Sequence, residues 1–146
     1  MKGRILVTVQ FVCLGLLVFM PSSAHTITRD AIGRLLFALA ALVLVAAFIE
    51  MRRGLTVFPE PKDGAPFVTR GIYRFVRHPM YLGVLTFGAS EVVAQWTPWH
   101  VVVFVVLAVD LRVKMRYEDG LLAARWSGAA EYQRRVGALL PRFSRD

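Results

Sequence analysis

Apolar residues along this chain gather into four long runs, and the polar segments between them are unequal, two short and one long. Ile5 to Met20 forms the first run, behind Lys2 and Arg4. Ala31 to Ile49 forms the second and clearest, Pro79 to Trp96 the third, and Pro98 to Leu111, rich in Val, the fourth. Runs of this length predict membrane-spanning helices, since a bilayer core takes about 17–25 residues of helix. The first is short for a span, and Ser22-Ser23-Ala24 behind it would also serve as a signal-peptide cleavage site. The three runs that follow need a first partner to pack on, which favours a retained helix. In the second run Ala38, Ala40, Ala41, Ala46 and Ala47 allow close helix packing, and Arg34 suits a snorkelling side chain near the entry.

The connections sharpen this picture. Pro21 to Asp30 is a short polar loop in which Thr28 or Asp30 can cap the next helix. Thr97-Pro98 predicts a tight turn between Trp96 and Trp99, two rings suited to a membrane interface, so the third and fourth runs form a hairpin. The segment 50–78 is long and basic, and Pro59, Pro61, Gly64 and Pro66 break any helix across its middle. Its apolar pairs, Val57-Phe58 and Phe67-Val68, predict a folded flap on the membrane face. From Arg112 onward the chain is charged, while Leu121, Leu122, Trp126, Ala129 and Ala130 recur at helical spacing. The expected fold is all-α: one polytopic membrane domain over 1–146, with about four transmembrane helices, a cytoplasmic flap over 50–78 and an amphipathic C-terminal helix and tail over 112–146.

Composition agrees with a membrane chain. Hydrophobic residues make up 56% and the mean hydropathy is +0.53, too apolar for an ordinary soluble domain of 146 residues. Lys and Arg number 18 against 10 Asp and Glu, a net charge of +8. The charges sit between apolar runs, so they suit lipid headgroups better than nucleic acid, and no nucleic-acid partner is expected. Four spans place Lys2, Arg4, the long loop and the tail on one side, as the positive-inside rule requires. Both termini, the flap and the tail are therefore expected on the cytoplasmic face of a multi-pass plasma-membrane protein. The single Cys13 lies inside an apolar run and suits a buried small hydrophobe. His25 and His100 lie at interfaces without metal-ligand spacing, and no metal is expected.

Candidate chemistry concentrates at the start of the third run. Pro79 suits the first turn of a helix, where its missing N–H would be unpaired anyway. Arg77 and His78 then end the loop beside a helix start with free N–H groups and a positive dipole end, flanked by Tyr73 and Tyr81. Such a junction can hold a polar, partly aromatic small molecule at a membrane surface. Glu118 and Asp119 follow the fourth run. Taken alone they serve equally well as surface charges pairing with Lys114 or Arg116 along one helix. Glu91 and Asp110 lie within apolar runs, where an acidic residue is costly unless paired. Asp110 could pair with Arg112 or Lys114, and Glu91 could be solvated near Trp96.

The run Gly71-Ile72-Tyr73-Arg74-Phe75-Val76-Arg77-His78-Pro79-Met80-Tyr81-Leu82-Gly83, the later Glu118-Asp119, Tyr132 and the ending Leu140-Pro141-Arg142-Phe143 resemble the isoprenylcysteine carboxyl methyltransferase family. The resemblance covers roughly Pro66 to Phe143. It implies an integral-membrane enzyme that uses S-adenosylmethionine to methylate a lipophilic substrate, such as the carboxylate of a prenylated cysteine or a related lipid. It also implies a cofactor site lined by Phe67, Val68, Tyr73, His78, Pro79, Met80, Tyr81, Glu118, Asp119 and Tyr132, with Glu118 taking the cofactor's amino group. Lys114 stands where the family has a substrate-side Arg, with Arg116 beside it, and together with His78 these are the candidate catalytic residues. Lys in place of Arg loses a bidentate grip on a carboxylate. Trp126-Ser127-Gly128 replaces a Phe-Gly pair, and Ala129 stands where the family has a second Tyr.

Two other functions fit parts of the pattern. A sterol-type membrane reductase shares the Arg-His-Pro core loosely, but NADPH is a long dinucleotide for so small a chain. A lipid-binding protein without enzymatic activity would use only the basic face on anionic headgroups.

Overall fold

The computed structural model describes residues 2–21, 26–51 and 67–142. The Ser22-Ser23-Ala24 site, most of the predicted flap (52–66, including Val57-Phe58) and Phe143 lie outside them. Within them the chain is all-helical: α1 (Lys2–Phe19), α2 (Ile27–Met51), α3 (Pro79–Gln95), α4 (Pro98–Arg125) and the short α5 (Ala129–Arg135), with a single 3-10 turn at Gly71–Arg74. Among the described residues one helix, α2, is long and apolar enough by itself to cross a membrane, and α1 is apolar over the shorter stretch Gly3–Phe19.

The predicted turns lie where their residues direct. Pro79 opens α3 as its first residue, and Trp96 closes it in the left-handed region, at φ 43°. Thr97 then caps α4, its hydroxyl accepting from the His100 amide, and Pro98 begins the helix. One expectation is corrected. The fourth apolar run and the C-terminal amphipathic helix are not separate elements, because α4 continues unbroken from Pro98 to Arg125. No Gly or Pro interrupts 99–119, and long side chains such as Leu, Arg, Lys and Met favour helix on both sides of the polarity change at Leu111. At ~1.5 Å per residue α4 is about 42 Å long, so it carries the charged Lys114–Asp119 segment well beyond its apolar part.

α2 packs chiefly on α3, and α1 on α4, with α3 touching α4. The interior holds Cys13 and Leu17 from α1 with Leu107 and Leu111 from α4. Small residues let the helices approach. A Cβ on Gly83 would sit 2.5 Å from Leu44 Cγ, so the glycine of the Tyr81-x-Gly83 pattern is needed for α2 to meet α3. Gly71 has φ +57°, and a Cβ there would meet the Glu50 carboxylate, so it starts the 3-10 turn where the chain passes the end of α2. Successive long helices alternate in direction, which brings the start of α1, the end of α2, the start of α3 and the second half of α4 to one end of the bundle.

Candidate functional site

That end gathers residues from every part of the chain. On α4, Glu118 and Asp119 are neighbours about 100° apart around the helix, and the two rims of one imidazole receive them. His78 Nε2 lies 3.0 Å from Asp119 Oδ1 and Nδ1 lies 3.6 Å from Glu118 Oε2. His78 is 4% exposed. Burial alone would lower its pKa, but hydrogen bonds to Asp119 and Glu118 and their charges outweigh it, and the ring titrates above the ordinary imidazole range. Both ring nitrogens face carboxylate oxygens, so the imidazolium is the form this arrangement favours.

Tyr81, one turn into α3, donates its hydroxyl to Glu118 Oε2 at 2.9 Å and stacks on His78, with centroids 5.4 Å apart at 24°. Glu118 Oε1 makes no hydrogen bond among the described residues. Tyr73, 3% exposed, sits in the 3-10 turn, its hydroxyl on Met51 Sδ at 3.4 Å. Burial, then the nearby Glu118 charge, pushes the Tyr73 phenol well above its usual range. Tyr73, His78, Tyr81, Glu118 and Asp119 are thus brought together. Pro79 and Met80 lie between His78 and Tyr81 in the first turn of α3.

Arg77, expected at the junction but not among the cofactor or catalytic residues, organises the cluster. Its Nη2 donates to Asp119 Oδ2 at 2.8 Å, and its Nη1 donates to the Gln133 carbonyl at 2.9 Å and to the Val136 carbonyl. Burial would raise Asp119, but hydrogen bonds from His78 and Arg77 hold its carboxyl below the usual carboxylate range. The backbone joins in: the Arg77 amide donates to the Gly137 carbonyl and the His78 amide to the Ala138 carbonyl, a parallel bridge centred on Val76 and Gly137. Gln133 Nε2 closes the ring of contacts on the Asp119 carbonyl at 2.8 Å. Its one sequence signal was an Arg placed directly before His-Pro.

Tyr132 does not reach Glu118. Its hydroxyl donates to the Tyr73 carbonyl at 2.6 Å, and burial pushes its pKa up to about 12. It braces α5 against the 3-10 turn. Phe67 stacks on Trp126 (5.4 Å, 19°) and meets Tyr132 edge-on (5.4 Å, 84°), so it lies on the α5 side of the cluster, and Val68 next to it in sequence is half-buried. Trp126, which replaces the family's aromatic, supplies the surface on which Phe67 rests.

The candidate cations are placed differently from one another. Arg116 is exposed, and no hydrogen bond or ion pair among the described residues joins it to the cluster. Lys114 is buried, 2% exposed, beneath Tyr81: its Nζ lies 5.3 Å from the ring centroid and 2.7 Å from Gln10 Oε1 of α1. Asp110 and Lys114 lie near enough for their charges to interact, and the Asp110 Oδ2 is buried without a hydrogen bond among the described residues. The Lys114 ammonium also reaches α1, while Arg112 is exposed. Glu91 accepts from Gln95 at 3.4 Å along α3. Among the described residues no group of His, Cys and carboxylates has metal-holding geometry.

The donor set fits a sulfonium amino acid: a carboxylate with an available oxygen, stacked rings, and a helix start with free amides. A family model described as phospholipid methyltransferase matches residues 28–127. A search of curated proteins found no match.

Proposed function

Since the chain belongs to the phospholipid methyltransferase family, which includes the isoprenylcysteine carboxyl methyltransferases, we propose that it methylates a lipophilic acceptor from S-adenosylmethionine at the cytoplasmic face of a membrane it spans with α1 to α4. The family is one of membrane methyltransferases acting on lipids. The observation that carries the finer reading is Glu118, whose Oε2 is anchored by Tyr81 while Oε1 remains available to an ammonium group. When bound, S-adenosylmethionine supplies a methyl group on a positively charged sulfur.

The residues around Glu118 hold and enclose. Tyr73, His78 and Tyr81, with Pro79 and Met80, form one wall; Phe67, Val68 and Tyr132 form the other. Arg77 and Asp119 tie the tail down and keep water out, which strengthens each charge interaction inside. Among the described residues no side chain of the cluster stands ready as a general base. Both ring nitrogens of His78 face carboxylates, which favours the imidazolium, and Asp119 is already engaged by Arg77 and His78. An acceptor that arrives ionised needs no base, so the arrangement favours a lipophilic carboxylate, such as that of a prenylated cysteine or a related lipid acid, over an amine or a phenol. Arg4, Arg70, Arg74 and Arg77 lie at the same end of the bundle as the cluster, and the positive-inside rule assigns that end to the cytoplasm.

Purified protein in detergent should bind S-adenosylhomocysteine, the demethylated product, by calorimetry and should not bind NADPH. Glu118→Ala and His78→Ala should each weaken that binding by about 100-fold, the size of a lost hydrogen bond to a charged group. Unchanged affinity in both variants removes the site assignment. Labelled S-adenosylmethionine incubated with lipid extract should yield a product that mild alkali demethylates, as an ester does; an alkali-stable product excludes the carboxylate.

A further inference from the structure

Gln10 is the amide in an otherwise mostly apolar α1, and it is 9% exposed. Its Oε1 accepts from Lys114 Nζ at 2.7 Å, across 104 residues of chain. The same ammonium sits under the face of Tyr81, 5.3 Å from the ring centroid, and the hydroxyl of that ring is the donor to Glu118 Oε2. Three contacts therefore link α1 to the carboxylate at the heart of the cluster, through α4 and α3. A buried ammonium needs acceptors, and without one it turns toward water or loses its proton. Gln10 provides an uncharged acceptor. It holds the ammonium beneath the phenol ring, and the Asp110 carboxylate, one turn back on α4, acts on the same charge. Charge under the ring draws electron density from the hydroxyl and strengthens it as a donor.

From this geometry we infer that Gln10 is a positioning residue for the methyl-transfer site. It holds Lys114 against Tyr81, and Tyr81 in turn holds Glu118 in the orientation that leaves Oε1 for the donor's amino group. Lys114 thereby acts on the carboxylate of the cofactor site through an aromatic ring. The inference rests on the reading of Glu118 given above, and it makes α1 part of the site although α1 carries none of the motif residues.

The test uses full-length protein in detergent and S-adenosylhomocysteine as the probe, with calorimetry for affinity and a thermal melt for folding. Gln10→Met keeps the length and shape of the side chain but removes the acceptor; affinity should fall about tenfold, the scale of one cation–π or hydrogen-bond link. Gln10→Glu keeps an acceptor and should bind within about threefold of the wild type. A packing role alone predicts the reverse order, since Met fills the space without burying a second charge. If Gln10→Met does not fold, Gln10→Met/Lys114→Met removes the ammonium as well and should fold and show the same tenfold loss. Wild-type affinity in a folded Gln10→Met or in the double variant overturns the inference while the reading of Glu118 stands. Failure of the wild type to bind the probe overturns both.

Discussion

The bundle carries a polar cluster at each end, and the two are built differently. At one end Arg77, His78, Tyr81, Glu118 and Asp119 come from two separate parts of the chain, and α5 and the tail close over them. At the other, Asp30, Arg34 and Phe37 of α2 face Ser90, Glu91 and Gln95 of α3 across a wide-mouthed cleft of about 380 Å³. Both contain acidic and basic residues inside an apolar fold. In the first, each carboxylate is held by residues roughly 40 positions away in sequence. In the second, Glu91 accepts from Gln95, one turn along its own helix. A local pair forms wherever the helix forms and shows nothing about function. A cluster assembled from distant segments exists only if the whole fold holds it, and its desolvated charges are costly to keep.

The comparison can be broken most sharply at Arg77. Arg77→Met removes the cation that binds both Asp119 and the tail carbonyls, and should destabilise the docked tail by about 3 kcal/mol, the usual cost of stranding a partner in a buried pair. Protease cleavage between 129 and 142 should then accelerate while the helices stay intact; an unchanged cleavage rate would mean that the backbone bridge alone holds the tail.

Acidity is a gentler probe of the same difference. The raised pKa of His78 gives docking a contribution that is complete below the ordinary imidazole pKa of about 6.5 and is lost as pH rises through the folded value. Asp119 behaves oppositely: its contribution is complete above the ordinary carboxyl pKa of about 4 and is lost as pH falls through its lowered value. Hydrogen-exchange protection of the Arg77 and His78 amides, which donate to the Gly137 and Ala138 carbonyls, should therefore be greatest between about pH 4 and 6.5 and decline on both sides. A profile that keeps rising above that window would contradict the protonated His78.

The smallest effect is expected at the far end. Glu91→Ala should change stability by no more than about 0.5 kcal/mol and affinity for S-adenosylhomocysteine by less than about twofold, as surface substitutions usually do. A large loss there would erase the distinction drawn between the two clusters.

Much of the site could be read in the linear order of residues. Pro79 after His78 marked the helix start, because proline is tolerated in the first turn and not beyond it, and the resemblance joined that start to Glu118 and Asp119. Two members escaped. Gln10 is one amide in an apolar stretch, and nothing nearby in sequence marks its partner. Arg77 looked like one more basic loop residue among several. Lys114 was assigned toward a substrate, yet it turns inward to Gln10, a choice set by which face of α4 meets α1.

The order of amino acids by itself determined that the chain is helical and apolar, where α3 and α4 begin, and which end of the fold carries the chemistry; each of these follows from hydropathy, proline and charge acting over a few neighbouring positions. Only the tertiary structure decided that α4 runs straight through Leu111, that Tyr132 braces a carbonyl, and that Lys114 lies beneath a ring. Those outcomes depend on which helix faces meet and which buried charges find an acceptor across the bundle, and such pairings are a property of the packed whole.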